Sequence, residues 1–251
     1  MATSAARRTA GAPPAPPSPV LAPPVLLSPD PAAAGTFYAA LLGWRQDPAT
    51  TGPHGRFRLS EEVAAHWVPA NARNAAAAWL PAFAVRDACT AVRRVRAAGG
   101  TPLPGSPDRA PAFADPVGGR FVLVEPPRGA GCPVWTELFS TDTRAATAFY
   151  RSAFGWRGRA IPFEGGSYTV LTSGPGADGL GGIRQLHAAE AATGLRSHWL
   201  PYLEVEDVER AVTEALELGA TLRTPARNAP GLGRSARLTD PQGAEFAVLG
   251  D

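Results

Sequence analysis

The sequence predicts an α+β protein made of two tandem domains, because three motifs occur twice in the same order. The first motif reads DPAAAGTFYAALLGW at residues 30–44 and DTRAATAFYRSAFGW at residues 142–156. The other two are WLPAFAVRD (79–87) with WLPYLEVED (199–207), and DPVGGRF (115–121) with DPQGAEF (240–246). The period is far longer than that of a solenoid repeat and matches one domain per copy.

The repeat and the local composition divide the chain into four segments. Residues 1–19 are rich in Pro and Ala and are expected to form a disordered tail. Residues 20–126 are predicted to form the first domain, 127–133 a linker and 134–251 the second domain. Each domain is large enough to bury its own hydrophobic core.

In the second domain, strands and helices carry separate signals. Trp135–Phe139 alternates bulky and smaller residues, as a strand does. Asp142 is placed to cap a helix that runs to Phe154, and Gly155 supplies the left-handed residue that ends it. The pattern then restarts with a strand at His198–Val205. The other predicted elements are strands at Tyr168–Thr172, Gly182–Arg184, Ser235–Leu238 and Glu245–Leu249, and a helix between Asp207 and Gly219.

The first domain follows the same order of elements. They are a helix at Asp30–Leu42, a strand at Trp79–Val85, a helix at Asp87–Ala98 and a strand at Arg120–Glu125. A repeated helix followed by several short strands favours an antiparallel or mixed sheet, because a parallel α/β sheet would alternate one strand with one helix.

Bulk properties disfavour several classes of protein. All 24 basic residues are Arg and are scattered among 22 acidic ones, with a net charge of +2, so nucleic-acid binding is not expected. No apolar run reaches the roughly 18 residues of a membrane span, and prolines interrupt the N-terminal segment where a signal sequence would lie. Cys89 and Cys132 form no C-x-x-C pair. Reduced thiols and a cytoplasmic location are therefore expected.

Several motifs of the second half resemble those of the vicinal oxygen chelate superfamily, which includes glyoxalase I, extradiol dioxygenases and bleomycin-resistance proteins. They are WTELFSTD (135–142), FY (149–150), FGW (154–156), YLEVED (202–207), GR (233–234) and DPQG (240–243). The chain looks most similar to actinobacterial proteins with two tandem glyoxalase-like domains, and the resemblance covers about residues 20–250. It implies paired βαβββ units that form a cup-shaped sheet, with the ligand on the concave face.

The resemblance also implies where a metal would bind, and those positions hold carbon side chains. They are Trp135, Leu200 and Ala247 in the second half, and Pro23, Leu80 and Val122 in the first. A divalent metal needs converging His or carboxylate donors, so no cofactor is expected. One alternative is a shifted iron or zinc site formed by Glu137, His198 and Glu245, which lie two residues away on the same strands.

Aromatic side chains on the predicted strands suit a flat organic ligand. The predicted ligand-binding residues are Trp135, Phe139, Tyr168, Trp199, Arg234 and Phe246. Glu137 and Tyr202 are the preferred polar pair and the candidate catalytic residues. The first half lacks the first-strand Trp and has Pro23 and Pro24, so we expect it to be degenerate and mainly to complete the fold.

Three functions remain open at this point. The leading one is metal-independent binding of a small organic molecule, in particular an aromatic one. The second is a lyase, isomerase or oxygenase that uses acid/base residues or the shifted metal site. The third is a non-catalytic interaction module. The chain is expected to be a monomeric pseudo-dimer or a homodimer.

Overall fold

Four βαβββ units follow one another along the chain. The first two units share one eight-stranded sheet, and the last two share another. The computed structural model describes residues 18–48, 54–70, 76–106, 110–126, 135–163, 166–192, 194–229 and 233–250. The predicted tail at 1–19, apart from its last two residues, and the predicted linker at 127–133 lie outside these residues. The predicted α+β fold of two tandem domains is confirmed.

The first sheet has the strand order β2-β3-β4-β1-β5-β8-β7-β6. Its strands are β1 (Val20–Ser28), β2 (Arg45–Gln46), β3 (Gly55–Leu59), β4 (Glu62–Pro69), β5 (Ala78–Ala84), β6 (Thr101–Pro102), β7 (Ala112–Ala114) and β8 (Arg120–Val124). Helices α1 (Pro31–Leu42) and α2 (Ala88–Ala97) belong to this domain. The central strands β1 and β5 are antiparallel, and their register shifts between Ala22 and Val25, where Pro23 and Pro24 cannot donate to the ladder.

The second sheet repeats this order as β10-β11-β12-β9-β13-β16-β15-β14. Its strands are β9 (Trp135–Ser140), β10 (Arg157–Phe163), β11 (Gly166–Thr172), β12 (Gly179–Gln185), β13 (His198–Glu204), β14 (Thr221–Ala229), β15 (Gly233–Thr239) and β16 (Glu245–Gly250). Its helices are α3 (Thr143–Phe154), α4 (Ala188–Ala192) and α5 (Val208–Glu217). No helix in the described ranges is long and apolar enough to cross a membrane.

Aspartates start the four longer helices, as the sequence predicts. Asp30, Asp87, Asp142 and Asp207 each accept a hydrogen bond from a backbone N–H in the first turn. A cap of this kind stabilises a helix by about 1 kcal/mol. Gly155 ends α3 with a φ of 73°, a conformation that favours glycine.

The two domains pack together through the faces that carry the helices. One core joins α1 of the first domain to α5 and β16 of the second, and another joins α2 and β5 to α3 and β13. The opposite face of each sheet forms a separate cup. The first cup is lined by Ala22, Val25, Leu27, Leu80, Ala82, Ala84, Ala112 and Val122.

The repeated motifs meet at the domain boundary in two matching hydrogen-bonded chains. The Trp79 Nε1–H donates to the Tyr38 hydroxyl at 2.9 Å, and Tyr38 donates to Oδ2 of Asp240 in the other domain at 2.9 Å. The second chain runs from Trp199 to Tyr150 at 2.9 Å and on to Asp115 at 2.8 Å. Its members are the second copies of the first two motifs and the first copy of the third.

The Gly-Trp ends of the first motif complete both chains. Trp44 stacks on Tyr38 at a ring-centroid distance of 5.7 Å, and Trp156 stacks on Tyr150 at 5.6 Å. Each aspartate also accepts backbone N–H bonds from its own turn, so it links the turn to the helix of the other domain. The Phe-Tyr and Gly-Trp pairs are therefore structural.

We predict that Tyr38→Phe and Tyr150→Phe each lower the free energy of unfolding by about 1–3 kcal/mol, because each leaves a buried carboxylate and a buried indole N–H short of a partner. Urea denaturation of the full chain measures this. Thr36→Ala removes an exposed hydroxyl from α1 and should change the value by less than about 0.5 kcal/mol. Equal effects of the three substitutions would contradict the structural role of the tyrosines.

Candidate functional site

Strand alternation brings a polar group to the centre of the second cup. On β9, Trp135, Glu137 and Phe139 share the cup face, since successive side chains point to opposite faces. On the neighbouring β13, Tyr202 lies opposite Trp135 and Leu200 lies opposite Glu137. The cup cluster consists of Trp135, Phe139, Tyr168, Leu186, Leu200, Tyr202, Ala247 and Leu249.

The carboxylate of Glu137 is the centre of this cup. Its side chain is buried, with 3% of the residue exposed. The Tyr168 hydroxyl donates to Oε1 at 2.6 Å, and the Tyr202 hydroxyl donates to Oε2 at 2.6 Å. The Trp135 Nε1–H donates to the Tyr168 hydroxyl at 3.0 Å. Both carboxylate oxygens are therefore satisfied by hydrogen bonds from aromatic side chains.

A glycine on β12 makes room for this arrangement. Gly182 lies beside Glu137 in the sheet. A Cβ atom at this position would come within 2.0 Å of the Tyr168 hydroxyl oxygen. The role of Gly182 was missed in the sequence, where it reads only as the start of a predicted strand. Only the register of the strands shows that Gly182 lies beside Glu137 and leaves room for the Tyr168 hydroxyl.

Burial and charge keep both tyrosines protonated. The pKa values of Tyr168 and Tyr202 are raised well above 10, first by burial and then by the negative charge of Glu137. The positive charge of Arg184 opposes this rise. Arg184 is buried on β12, and its guanidinium carbon lies 4.8 Å from the ring centre of Phe139. The cup therefore combines one carboxylate, two hydroxyl donors and one guanidinium.

A second polar cluster lies on the same face, nearer the rim. Arg237 on β15 contacts Glu190 at 2.9 Å and Glu245 at 3.3 Å. His198 lies 3.5 Å from Glu245 and stacks on Phe139. The pKa of His198 is lowered, mainly by burial, so its contact with Glu245 at neutral pH is made by an uncharged ring. Sequence reasoning missed Arg237.

The connection between β12 and β13 covers the cup. It contains α4, and both Leu186 before this helix and Leu195 after it pack on the cup cluster. The ion pair between Glu190 of α4 and Arg237 of β15 holds the connection against the sheet. The connection thus contributes to the burial of the aromatic side chains in the cup.

Three of the residues predicted to contact a ligand do not line the cup. The interpretation of Trp199 and Phe246 as cup residues is wrong, because they point to the helix-bearing face, where Trp199 packs on Phe83 and Phe246 on Tyr38. Their neighbours in sequence occupy the cup face instead, as period-two alternation requires. Arg234 forms an ion pair with Glu209 on α5, also outside the cup.

The side chains of the cup do not fit a divalent metal. Trp135, Leu200 and Ala247 lie in the cup cluster and offer only carbon and an indole N–H. The alternative shifted site is not assembled either. His198 lies opposite Phe139, one row nearer the rim than Glu137. Among the residues that the structure describes, no three His, Cys, Asp or Glu side chains are grouped to hold a metal ion.

The first cup has no comparable polar centre. Val25 lies opposite Leu80 in the first sheet, as Glu137 lies opposite Leu200 in the second. Ala82 takes the place of Tyr202 in the same alignment of the two sheets. The core cluster of the first cup consists of Ala, Val and Leu side chains. The candidate site therefore belongs to the second domain.

A solved dioxygenase structure shares this fold. The 2,3-dioxygenase LapB from Pseudomonas sp. KL28 superposes with a TM-score of 0.63, and the match covers 93% of this chain and 93% of that chain. The two sequences are 14% identical, so this likeness shows the fold alone.

Sequence comparison identifies the family. The model of the glyoxalase-like domain matches residues 25–124 and 135–249, so the chain belongs to the glyoxalase-like domain family. The anthracycline biosynthesis protein DauV of Streptomyces sp. (strain C5) is 31% identical over 255 residues, which cover 88% of this chain and 90% of DauV. The anthracycline biosynthesis protein DnrV of Streptomyces peucetius is 30% identical over 253 residues, with the same coverage.

We predict that Gly182→Ala lowers the free energy of unfolding by about 1–3 kcal/mol, because the new methyl group collides with the Tyr168 ring and displaces its hydroxyl from Glu137. Chemical denaturation measures the loss. Gly174→Ala is the matched control, since a Cβ there would meet nothing within 4 Å. If both variants were as stable as the unmodified protein, the proposed packing of Tyr168 over Gly182 would be incorrect.

Proposed function

We propose that the cup of the second domain binds a planar aromatic molecule without a metal ion. The observation that carries the proposal is the buried Glu137 carboxylate, which is held by the hydroxyls of Tyr168 and Tyr202. Aromatic walls favour a flat ring system, while a few polar groups fix its orientation. Carbon side chains at the implied metal positions support binding that does not depend on a metal.

The chemistry of the cup favours a ligand that carries phenolic hydroxyl and keto groups. Glu137 can accept a hydrogen bond from a ligand hydroxyl, and a tyrosine released from Glu137 can donate to a keto oxygen. The names of DauV and DnrV connect these relatives with anthracyclines, which are fused-ring aromatic compounds with such substituents. We propose that the ligand belongs to this chemical class.

Binding requires the connection that contains α4 to move. Glu137 is 3% exposed, so a ligand reaches it only when this connection leaves the cup. The contact between Glu190 and Arg237 opposes that movement, because Arg237 is buried and would keep only its longer contact with Glu245. A fused-ring ligand could offset this cost by burying its apolar surface.

Proton transfer by Glu137 is the second candidate function. The carboxylate oxygens accept from Tyr168 and Tyr202, so a ligand group that displaces one of these hydroxyls would stand within the reach that general acid/base catalysis requires. If Glu137 exchanges protons with the ligand, the protein should speed deuterium uptake at a carbon of the ligand in heavy water, as mass spectrometry would detect. If the ligand binds but takes up no deuterium, proton transfer by Glu137 is rejected and binding alone remains as the proposed function.

The expected location and assembly belong to the same proposal. We propose a cytoplasmic protein in which the two domains of one chain take the place of the two subunits of a dimer. The two matching Trp–Tyr–Asp chains across the domain boundary support a pseudo-dimer of domains within one chain.

We predict that Glu137→Gln weakens binding of a 1,8-dihydroxyanthraquinone probe by about tenfold or more, because the charged acceptor of the ligand hydroxyl is lost. Quenching of tryptophan fluorescence measures the dissociation constant. Glu204→Gln is the control, since this carboxylate lies on β13 but is exposed. Unchanged binding by the Glu137 variant, with its fold intact, would remove the carboxylate from the proposed site.

We predict that chelation of metal ions leaves probe binding unchanged. The dissociation constant should be the same, within about twofold, in the presence of EDTA and after addition of iron(II) or zinc(II). Elemental analysis of the purified protein accompanies the titration. A stoichiometric metal whose removal abolishes binding would show that the proposed metal-independent mode is wrong.

A further inference from the structure

A cavity of about 210 Å³ lies between the two domains, next to His198 and Glu245 at the rim of the second cup. The first domain contributes Trp79 at the start of β5 and Arg120 of β8, and the second contributes Ser197, His198 and Glu245. The glycines of the two Asp-Pro-x-Gly turns, Gly118 and Gly243, also line it. The cavity therefore lies where the repeated motifs of the two domains face each other.

The two copies of the repeat differ in charge and polarity inside this cavity. By the alignment of the motifs, Arg120 corresponds to Glu245 and Ala78 corresponds to His198. Trp79 and Trp199, and likewise Gly118 and Gly243, are identical. The shared residues maintain the boundary between the domains, whereas the differing ones give the cavity a cationic side and a side with hydrogen-bond acceptors.

The cationic side is the guanidinium of Arg120. Arg120 is half-buried, and in the described part of the chain it forms no ion pair or hydrogen bond. Burial lowers its pKa. A buried charge is costly unless it is paired, so an anion in the cavity would be stabilised. The planar guanidinium matches a carboxylate with two parallel hydrogen bonds.

The other side offers an unused acceptor. Nδ1 of His198 lies 2.8 Å from the carbonyl oxygen of Arg196, which can only accept, so Nδ1 carries the proton and donates. The neutral ring then has a lone pair on Nε2. Nε2 is buried and has no hydrogen-bond partner in the described structure, and the nearby Glu245 oxygen is itself an acceptor. His198 lines the cavity with 22% of its side chain exposed, so a small movement of the ring presents this acceptor to a ligand that donates a hydrogen bond.

We propose that the interdomain cavity binds one small organic carboxylate that also carries a hydroxyl or amino group. The carboxylate pairs with Arg120, and the hydroxyl or amino group donates to Nε2 of His198. The volume equals that of about seven water molecules in the liquid, so it suits a single-ring acid. Glu137, Tyr168 and Tyr202 of the cup do not line this cavity, so it is a second site, distinct from the one proposed for the fused-ring ligand.

Isothermal titration of the full chain with the three hydroxybenzoate isomers, benzoate and phenol tests the proposal. At least one hydroxybenzoate should bind more tightly than benzoate, and phenol should not bind measurably. Arg120→Gln should weaken hydroxybenzoate binding by about tenfold or more, and Arg120→Lys, which keeps the charge but not the fork, by less. The exposed Arg86 provides the control, and Arg86→Gln should leave the affinity unchanged.

A second variant tests the acceptor. His198→Phe keeps a ring that can stack on Phe139 but has no acceptor nitrogen, so hydroxybenzoate should lose its advantage over benzoate. The proposal is overturned if no acid binds at millimolar concentration, or if Arg120→Gln binds the acids as well as the unmodified protein does. It is also overturned if the acids compete with the anthraquinone probe, because they would then occupy the cup. The two sites are tested with different ligands and variants, so a negative result at one site does not affect the test of the other.

Discussion

The Trp–Tyr–Asp hydrogen-bonded chain, used twice across the domain boundary, is the interaction on which the rest of the structure depends. Tyr38 and Tyr150 are buried on helices at the interface, and each donates to an aspartate of the other domain. Burial raises the pKa of Asp115 and Asp240, and hydrogen bonds from the tyrosine and from backbone N–H groups oppose that rise. Each aspartate therefore links the geometry of its turn to the position of a helix in the other domain.

This constraint explains why the repeat survives where it does. Most of the recurring aromatic and aspartate residues lie on the helix-bearing faces and in the turns that join the domains, so the match between the copies reports mainly on the interface. Leu80 and Leu200 also recur but line the cups. Away from their rims, the cup faces do not take part in this contact and are free to differ. The first cup has Val25 where the second has Glu137, yet the strand order of the two sheets is the same.

The sequence predicted the architecture better than the candidate site. Asp caps, glycine stops and the duplicated motifs are local signals, so the longer helices and the central strands β5, β9 and β13 were predicted within a few residues. The direction of a side chain on a strand depends on register, which a list of aromatic residues does not contain. Trp199 and Phe246 were therefore assigned to the wrong face. The contributions of Gly182 and Arg237 arise only when distant strands pair, and no local motif indicates them.

The polar centre of the second cup is a hydrogen-bonded carboxylate and not a set of metal ligands. This difference bears on which ligands the cup would prefer. A buried carboxylate needs strong donors, and two tyrosine hydroxyls at 2.6 Å supply them to Glu137. A purely apolar ligand could not take over these hydrogen bonds if it displaced a tyrosine, and would leave a buried charge short of partners. A ligand with its own hydroxyl and keto groups can replace them one for one. Under the proposed function, the geometry would therefore favour oxygenated aromatic molecules over plain aromatic ones of the same shape.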